Sequence, residues 1–99
     1  MEKYGVKVPD AVERVYNAAI KSAMEIRDPD WDERFKMSLT HLGHRNGEWT
    51  ICDNYERFTS LVLRYKDGRW VTYKMYGEIE TEISAEEAEN EARYMWMNG

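Results

Sequence analysis

Two hydrophobic periods divide the chain. The first is helical: in "PDAVERVYNAAIKSAMEIRDP", Val12, Val15, Tyr16, Ala19, Ile20, Ala23 and Met24 recur at three- and four-residue intervals and form one apolar stripe. Asp10 is placed to cap this helix, with Glu13 three residues on as the reciprocal half of a capping box. Pro29 biases Asp28 out of helical geometry, so the helix is expected to stop there. Ahead of it, Tyr4, Val6 and Val8 alternate with Gly5 and Lys7, the pattern of a short edge strand. A second helix is read in "SAEEAENEARYMWM", with Ser84 as cap, Glu87 completing the box, and glutamates crowding the positive end of the helix dipole. Its Ala85, Ala88, Ala92, Met95 and Trp96 face inward, and the three alanines let it lie close to a sheet.

Between the helices the period changes to two. "FKMSLT", "WTIC", "TSLVLRY", "WVTYKMY" and "EIETEI" are rich in β-branched and aromatic residues and are separated by turn signals. One segment supports both periods: "DWDERFKMSLTHLG" also places Trp31, Phe35, Leu39 and Leu42 at helical spacing, with Gly43 as a stop. The strand reading is preferred there, because two related segments, "HRNGEWTI" and "YKDGRWVT", look like matching hairpins.

The loop length of those hairpins decides which side chains share a face. Asn-Gly and Asp-Gly suggest two-residue type I′ loops, but such a loop would pair Arg64 with Val71 and Leu63 with Thr72, mixing polar and apolar residues on both faces. A three-residue loop, Lys66-Asp67-Gly68, pairs Leu63 with Val71 and Leu61 with Tyr73, and adds Tyr65 and Met75 to the same apolar face. Because a one-residue slip flips every side chain, the cleaner face favours the longer loop. The same loop at Arg45-Asn46-Gly47 gathers Phe35, Met37, Leu39, His41, Trp49 and Ile51 on one face. The predicted fold is α+β in a single domain spanning residues 1–99. An N-terminal helix, an antiparallel meander of four or five strands and a C-terminal helix follow in order. Both helices are expected on the sheet face that carries Leu61, Leu63, Val71 and Tyr73.

Composition narrows the function classes. The hydrophobic fraction is 42% with 13% aromatic residues, which suits a packed core. A formal charge of −5 argues against direct nucleic-acid binding by phosphate neutralisation. The whole acidic excess sits in residues 77–99, where seven glutamates face one arginine. One cysteine allows no internal disulfide, no apolar run is long enough to span a membrane, and no basic-then-apolar leader opens the chain. The expected compartment is therefore the cytoplasm.

Candidate chemistry is sparse. His41 and His44 with Cys52 invite a metal reading, but in the chosen register His41 faces away from both, and a closed zinc site needs four ligands. Asp28, Asp30 and Asp32 have the spacing that opens a calcium loop, yet Glu33 stands where glycine is required and Leu39 where glutamate is required. Cys52 has no neighbouring base in sequence, and no phosphate-binding glycine loop or nucleophile elbow is found. No catalytic residue, metal or cofactor is assigned.

The face opposite the core is expected to hold Val62, Arg64, Trp70, Thr72 and Lys74, with Tyr76 beyond and Glu78, Glu80 and Glu82 on the last strand. Aromatic residues among arginine and glutamate match the composition of interface hot spots. Arg64, Trp70, Tyr76, Glu78, Glu80 and Glu82 are therefore the candidate partner-binding residues. The corresponding function is a small acidic inhibitor that occupies the basic surface of another protein. Phage or mobile-element anti-defence proteins such as anti-CRISPRs have this character, as do toxin-immunity proteins. The alternative is a small-ligand-binding domain or enzyme with a pocket between sheet and helices. A third reading, a single-strand binder using Arg64, Lys66, Arg69 and Lys74 around Trp70, runs against the net charge. Oligomeric state is left open by the sequence.

Overall fold

The structure is a computed structural model, and it describes residues 1–53 and 60–96. The start of the predicted strand at Thr59 and the last methionine of the predicted helix, Met97, lie outside the described residues. A two-stranded hairpin, β1 (Glu2–Lys3) and β2 (Val6–Lys7), precedes helix α1 (Asp10–Met24) and a short helix α2 (Glu33–Met37). Five strands follow: β3 (Thr40–Arg45), β4 (Glu48–Asp53), β5 (Ser60–Lys66), β6 (Arg69–Tyr76) and β7 (Ile79–Ile83). Helix α3 (Ala85–Arg93) completes the described elements. The five strands form an antiparallel meander in the order β3-β4-β5-β6-β7. Helices α1 and α3 pack on each other and on one face of that sheet, so the α+β class is as expected.

The helix boundaries differ from the sequence reading in instructive ways. Pro9, with no side-chain cap bond, stands at the N-cap of α1, which makes Asp10 its first helical residue. A proline suits the start of a helix because its missing N–H would have no partner there. The helix ends at Met24, four residues short of Asp28, so Pro29 is not what stops it. In the 31–42 segment the strand reading was wrong for its first half. Asp32 accepts a hydrogen bond from the Phe35 amide and starts α2, and only from Thr40 does the chain become a strand. Phe35 and Met37 are consequently exposed rather than part of a sheet face. Ser84, by contrast, caps α3 as predicted, accepting from the Glu87 amide at 3.0 Å.

The hairpin loops have two residues, not three. Arg45 pairs with Glu48 and Lys66 with Arg69, leaving Asn46-Gly47 and Asp67-Gly68 as the loops. Both residues of each loop have positive φ (54° and 78°, 52° and 82°), the type I′ geometry whose twist matches that of the flanking strands. Tyr4-Gly5 repeats it between β1 and β2, so this segment is a separate hairpin and not an edge strand of the main sheet.

The resulting register pairs Arg64 with Val71, Leu63 with Thr72 and Leu61 with Lys74. Leu61, Leu63, Thr72 and Lys74 therefore lie on the helix side, while Val71 and Tyr73 lie on the far side, the reverse of the expectation for all four β6 residues. The premise that failed is that only one face buries apolar residues. Val62 and Val71 are each only 5% exposed on the far side, so β5 and β6 are covered on both faces. With both faces partly apolar, the pattern no longer specifies a register and the turn chemistry does.

The core between sheet and helices comprises Leu42, Trp49, Ile51, Leu61 and Leu63 from the strands, with Val12, Val15, Ala19, Ala23, Ala88 and Ala92 from the helices. Trp96 joins the layers. Its amide donates to Ser22 Oγ of α1 at 2.9 Å and its indole Nε1 donates to Thr40 Oγ1 of β3 at 3.0 Å. Ser22, buried within the apolar stripe of α1, is thereby satisfied.

Candidate functional site

The two outer strands of the meander end differently. At β3, the two-residue loop makes Arg45–Glu48 a hydrogen-bonded pair, so the bonded pairs continue at Gly43 and His41, and the backbone groups of Leu42 point outward. The outward carbonyl of Leu42 is taken by the phenol of Tyr4, which donates to it at 2.7 Å. The N-terminal hairpin thus caps this edge.

At β7 no described element lies alongside. Glycine at the first loop position, Gly77 with φ of 61°, followed by Glu78 without a positive φ, corresponds to the type II′ alternative for a two-residue loop. Tyr76 and Ile79 flank this loop as direct cross-strand partners and are 72% and 66% exposed. Ile79, Glu80, Thr81 and Glu82 are all exposed.

The far face of the sheet is organised around Arg64. Its Nε donates to Glu48 at 2.5 Å and its Nη2 lies 2.6 Å from Glu80, while the guanidinium sits 4.8 Å from the centre of the Tyr73 ring. The hydrogen bond to Glu80, and then that to Glu48, hold the Arg64 pKa above its ordinary value. The same bond from Arg64 holds the Glu80 carboxyl below the usual carboxylate range. The bridge joins β4, β5 and β7 on the face that also carries Val62, Val71 and Tyr73. All three side chains remain about a third exposed, so solvent screening keeps each pair weak.

The predicted partner-binding residues do not form one patch. Arg64, Glu80 and Glu82 share the far face, as the pairing of Tyr73 with Glu82 and Met75 with Glu80 requires. Glu78 is in the β6–β7 loop and exposed. Trp70 is on the helix side, packed against the core, with its ring 5.4 Å from Tyr65 in an edge-to-face arrangement. Thr72 is buried on that side, and Lys74 reaches Glu91 of α3 at 3.1 Å. Tyr76 has the same strand parity as Trp70 but lies at the open end, beside Ile79. The sequence reading missed Ile79, Glu48 and Tyr73. Ile79 was legible as the residue after a Gly-x turn, whereas Glu48 and Tyr73 needed the correct register.

The histidines also change places. His41 pairs directly with Cys52 and shares its face, contrary to the expected separation, and His41 is exposed, not core. His44 is on the other face, stacked on Trp49 at 4.1 Å between ring centres. Among the described residues no group of three or more His, Cys, Asp or Glu side chains is placed to hold a metal ion. Between sheet and helices Trp49, Leu61, Leu63, Ala88, Ala92 and Trp96 belong to one packed cluster, and a recess of about 300 Å³ lies where β6 and β7 meet the start of α3, lined by Trp70, Thr72, Ile83 and Ala85 among others. An open groove of about 760 Å³ lies elsewhere, beside the C-terminus of α1, lined by Met24, Ile26, Arg27, Pro29 and Lys36. Among the described residues no helix is long and apolar enough to cross a membrane. Compared with models of protein families, with curated proteins and with solved structures, the chain has no match in any of the three.

Proposed function

We propose that this domain is a protein-binding module that docks its acidic β7–α3 side on a basic surface of another protein and inhibits that protein by occupying the surface. The observation that carries the reading is the composition of the β6–β7 end. Two large apolar side chains, Tyr76 and Ile79, stand exposed beside each other on the helix side of the sheet, next to Glu78 in the loop, with Glu80 and Glu82 on the opposite face of the same strand and the glutamates of α3 following in the chain. An apolar centre with a charged rim is the anatomy of a protein interface, where the centre supplies affinity and the rim supplies steering and register. Anti-defence inhibitors of phage or mobile-element origin and toxin-immunity proteins are the functional classes with this chemistry, and both act by blocking a surface.

The test is affinity capture from a bacterial lysate, identification by mass spectrometry, and binding kinetics with the purified partner. The double substitution Glu78→Lys with Glu82→Lys avoids the carboxylates bridged by Arg64. It should slow association roughly tenfold or more at low salt, with the difference shrinking as salt is added. Stoichiometric loss of the partner's own activity supports inhibition. Unchanged kinetics in the double variant refute the acidic docking side.

A further inference from the structure

We propose that β7 is a docking edge that takes up an extended segment of the partner as a sixth, antiparallel strand, with the pattern basic–x–basic–apolar read from its N-terminus. This rests on the protein-binding reading above and specifies which part of the partner is recognised.

The pattern follows from the phase of the β6–β7 ladder. The two-residue loop makes Tyr76 and Ile79 a hydrogen-bonded pair, so Lys74–Thr81 and Thr72–Ile83 are bonded pairs as well. The N–H and C=O groups of Ile79, Thr81 and Ile83 are spent on β6. Those of Glu80 and Glu82 point away from the sheet, toward an edge with no described neighbour. Backbone groups directed outward and spaced two residues apart are what an added strand pairs with.

The side chains of the same two residues fix the chemistry of the added strand. A residue directly opposite Glu80 or Glu82 in a bonded antiparallel pair has its Cα about 5.5 Å away and its side chain on the same face. That face carries the two carboxylates, so lysine or arginine belongs at both opposing positions, with one residue between them opposite Thr81. Glu80 is held in place by Arg64 at 2.6 Å, which leaves its position defined before any ligand arrives. One residue further along, the strand reaches Ile79, whose exposed side chain takes an apolar partner beside Tyr76.

The same geometry excludes a second copy as the occupant. Two β7 strands aligned edge to edge in this phase would set glutamate against glutamate, and like charges directly opposite destabilise a strand pair. Acidic residues protect the edge from self-association while leaving it open to a basic strand.

The experiment uses the full chain and two synthetic peptides of equal composition, Thr-Lys-Val-Lys-Ile-Thr and Thr-Val-Lys-Ile-Lys-Thr, the second breaking the basic–x–basic–apolar order. Backbone amide exchange is followed by NMR during titration. The first peptide should slow exchange of the Glu80 and Glu82 amides at least tenfold and leave that of Thr81, already bonded to β6, unchanged. The second should bind at least several-fold more weakly. Glu82→Pro removes one outward N–H without touching the β6 ladder, a substitution that edge strands accept. It should abolish the protection at Glu80, whereas Glu82→Gln keeps the N–H and retains part of it. Circular dichroism melting of both variants confirms that they fold. Absence of protection at Glu80 and Glu82 with millimolar first peptide overturns strand addition, as does equal binding of the two peptides. If a captured partner nevertheless loses affinity in the Glu78→Lys, Glu82→Lys variant, the protein-binding reading stands and only the edge-docking inference falls.

Discussion

The two edges of the five-stranded sheet solve the same physical problem in opposite ways. Every outer strand presents backbone groups that seek partners. At β3 the chain supplies one itself: the Tyr4 phenol occupies the outward Leu42 carbonyl, while the Thr40 side-chain hydroxyl, on the core side of the same strand, receives the Trp96 indole. Thr40 and Leu42 are both buried. At β7 the protection is electrostatic, with Glu80 and Glu82 at the positions whose backbone points outward. The difference teaches that one edge is closed by the domain's own residues, while the other is guarded by charge and has no described neighbour.

That contrast can be broken or sharpened by substitution. The largest effect is expected on the closed side. Trp96→Ala removes a buried indole and leaves Thr40 Oγ1 without its donor, and should cost about 3–5 kcal/mol in chemical denaturation. A cost below about 1 kcal/mol would mean that β3 is not held as described. Next comes the turn that feeds the open side. Gly77→Val puts a β-branched residue at positive φ, with no atom within 4 Å of the new Cβ, so the cost is pure backbone strain of about 1–2 kcal/mol. Removing only the hydroxyl in Tyr4→Phe should destabilise by about 1 kcal/mol, read from the urea midpoint.

Acid separates the edges further. The Glu80 carboxyl titrates below its unfolded value of about 4.3, so its contribution is fully present above that pH and is lost as pH falls through the folded value. The melting-temperature gap between the native protein and Glu80→Gln should be constant from pH 7 to about 5 and close below pH 4 or so. A gap that widens on acidification would invert the sign of the Arg64–Glu80 coupling. The smallest effect belongs to Glu82→Gln, which has no described ion-pair partner and should change stability by less than about 0.5 kcal/mol.

The sequence was legible where one physical signal acted alone. Ser84 and Glu87 stand at the ends of a capping box with no competing motif, and α3 begins where they say. The stripe of Val12, Val15, Ala19 and Ala23 has a single period and all four are buried. Legibility failed where two signals disagreed. At Asp67-Gly68 the turn dipeptide called for two residues and the apolar pattern for three. The pattern misled because Val62 and Val71 are buried on the face that the helices leave uncovered. That register error moved Trp70 and Tyr73 to the wrong sides, and the same error at Asn46-Gly47 separated His41 from Cys52, its true neighbour. The placement of Glu80 and Glu82 survived the error because it came from their alternation with Ile79, Thr81 and Ile83 along β7 and not from the register of β6. For the candidate site, therefore, the acidic strand was readable and its aromatic companion was not.

The reach of Trp96 has a consequence in time. Its two hydrogen bonds join positions 74 and 56 residues apart, whereas the β3–β4, β5–β6 and β6–β7 hairpins are each closed across a two-residue loop. Closing long loops is slower than closing short ones, since more chain entropy is lost before any contact is made. During synthesis, successive hairpins of the meander can form while α3 is still inside the ribosome, with Leu61 and Leu63 uncovered on the face that α3 will occupy. The domain therefore passes through an interval in which its sheet exists without the α3 half of its roof, and the emergence of Trp96 ends it. Ribosome-stalled chains should bind a hydrophobic dye when they expose residues only up to Ile83, and lose that binding once Trp96 has emerged. Dye binding that is the same at both lengths would show that sheet and roof form together.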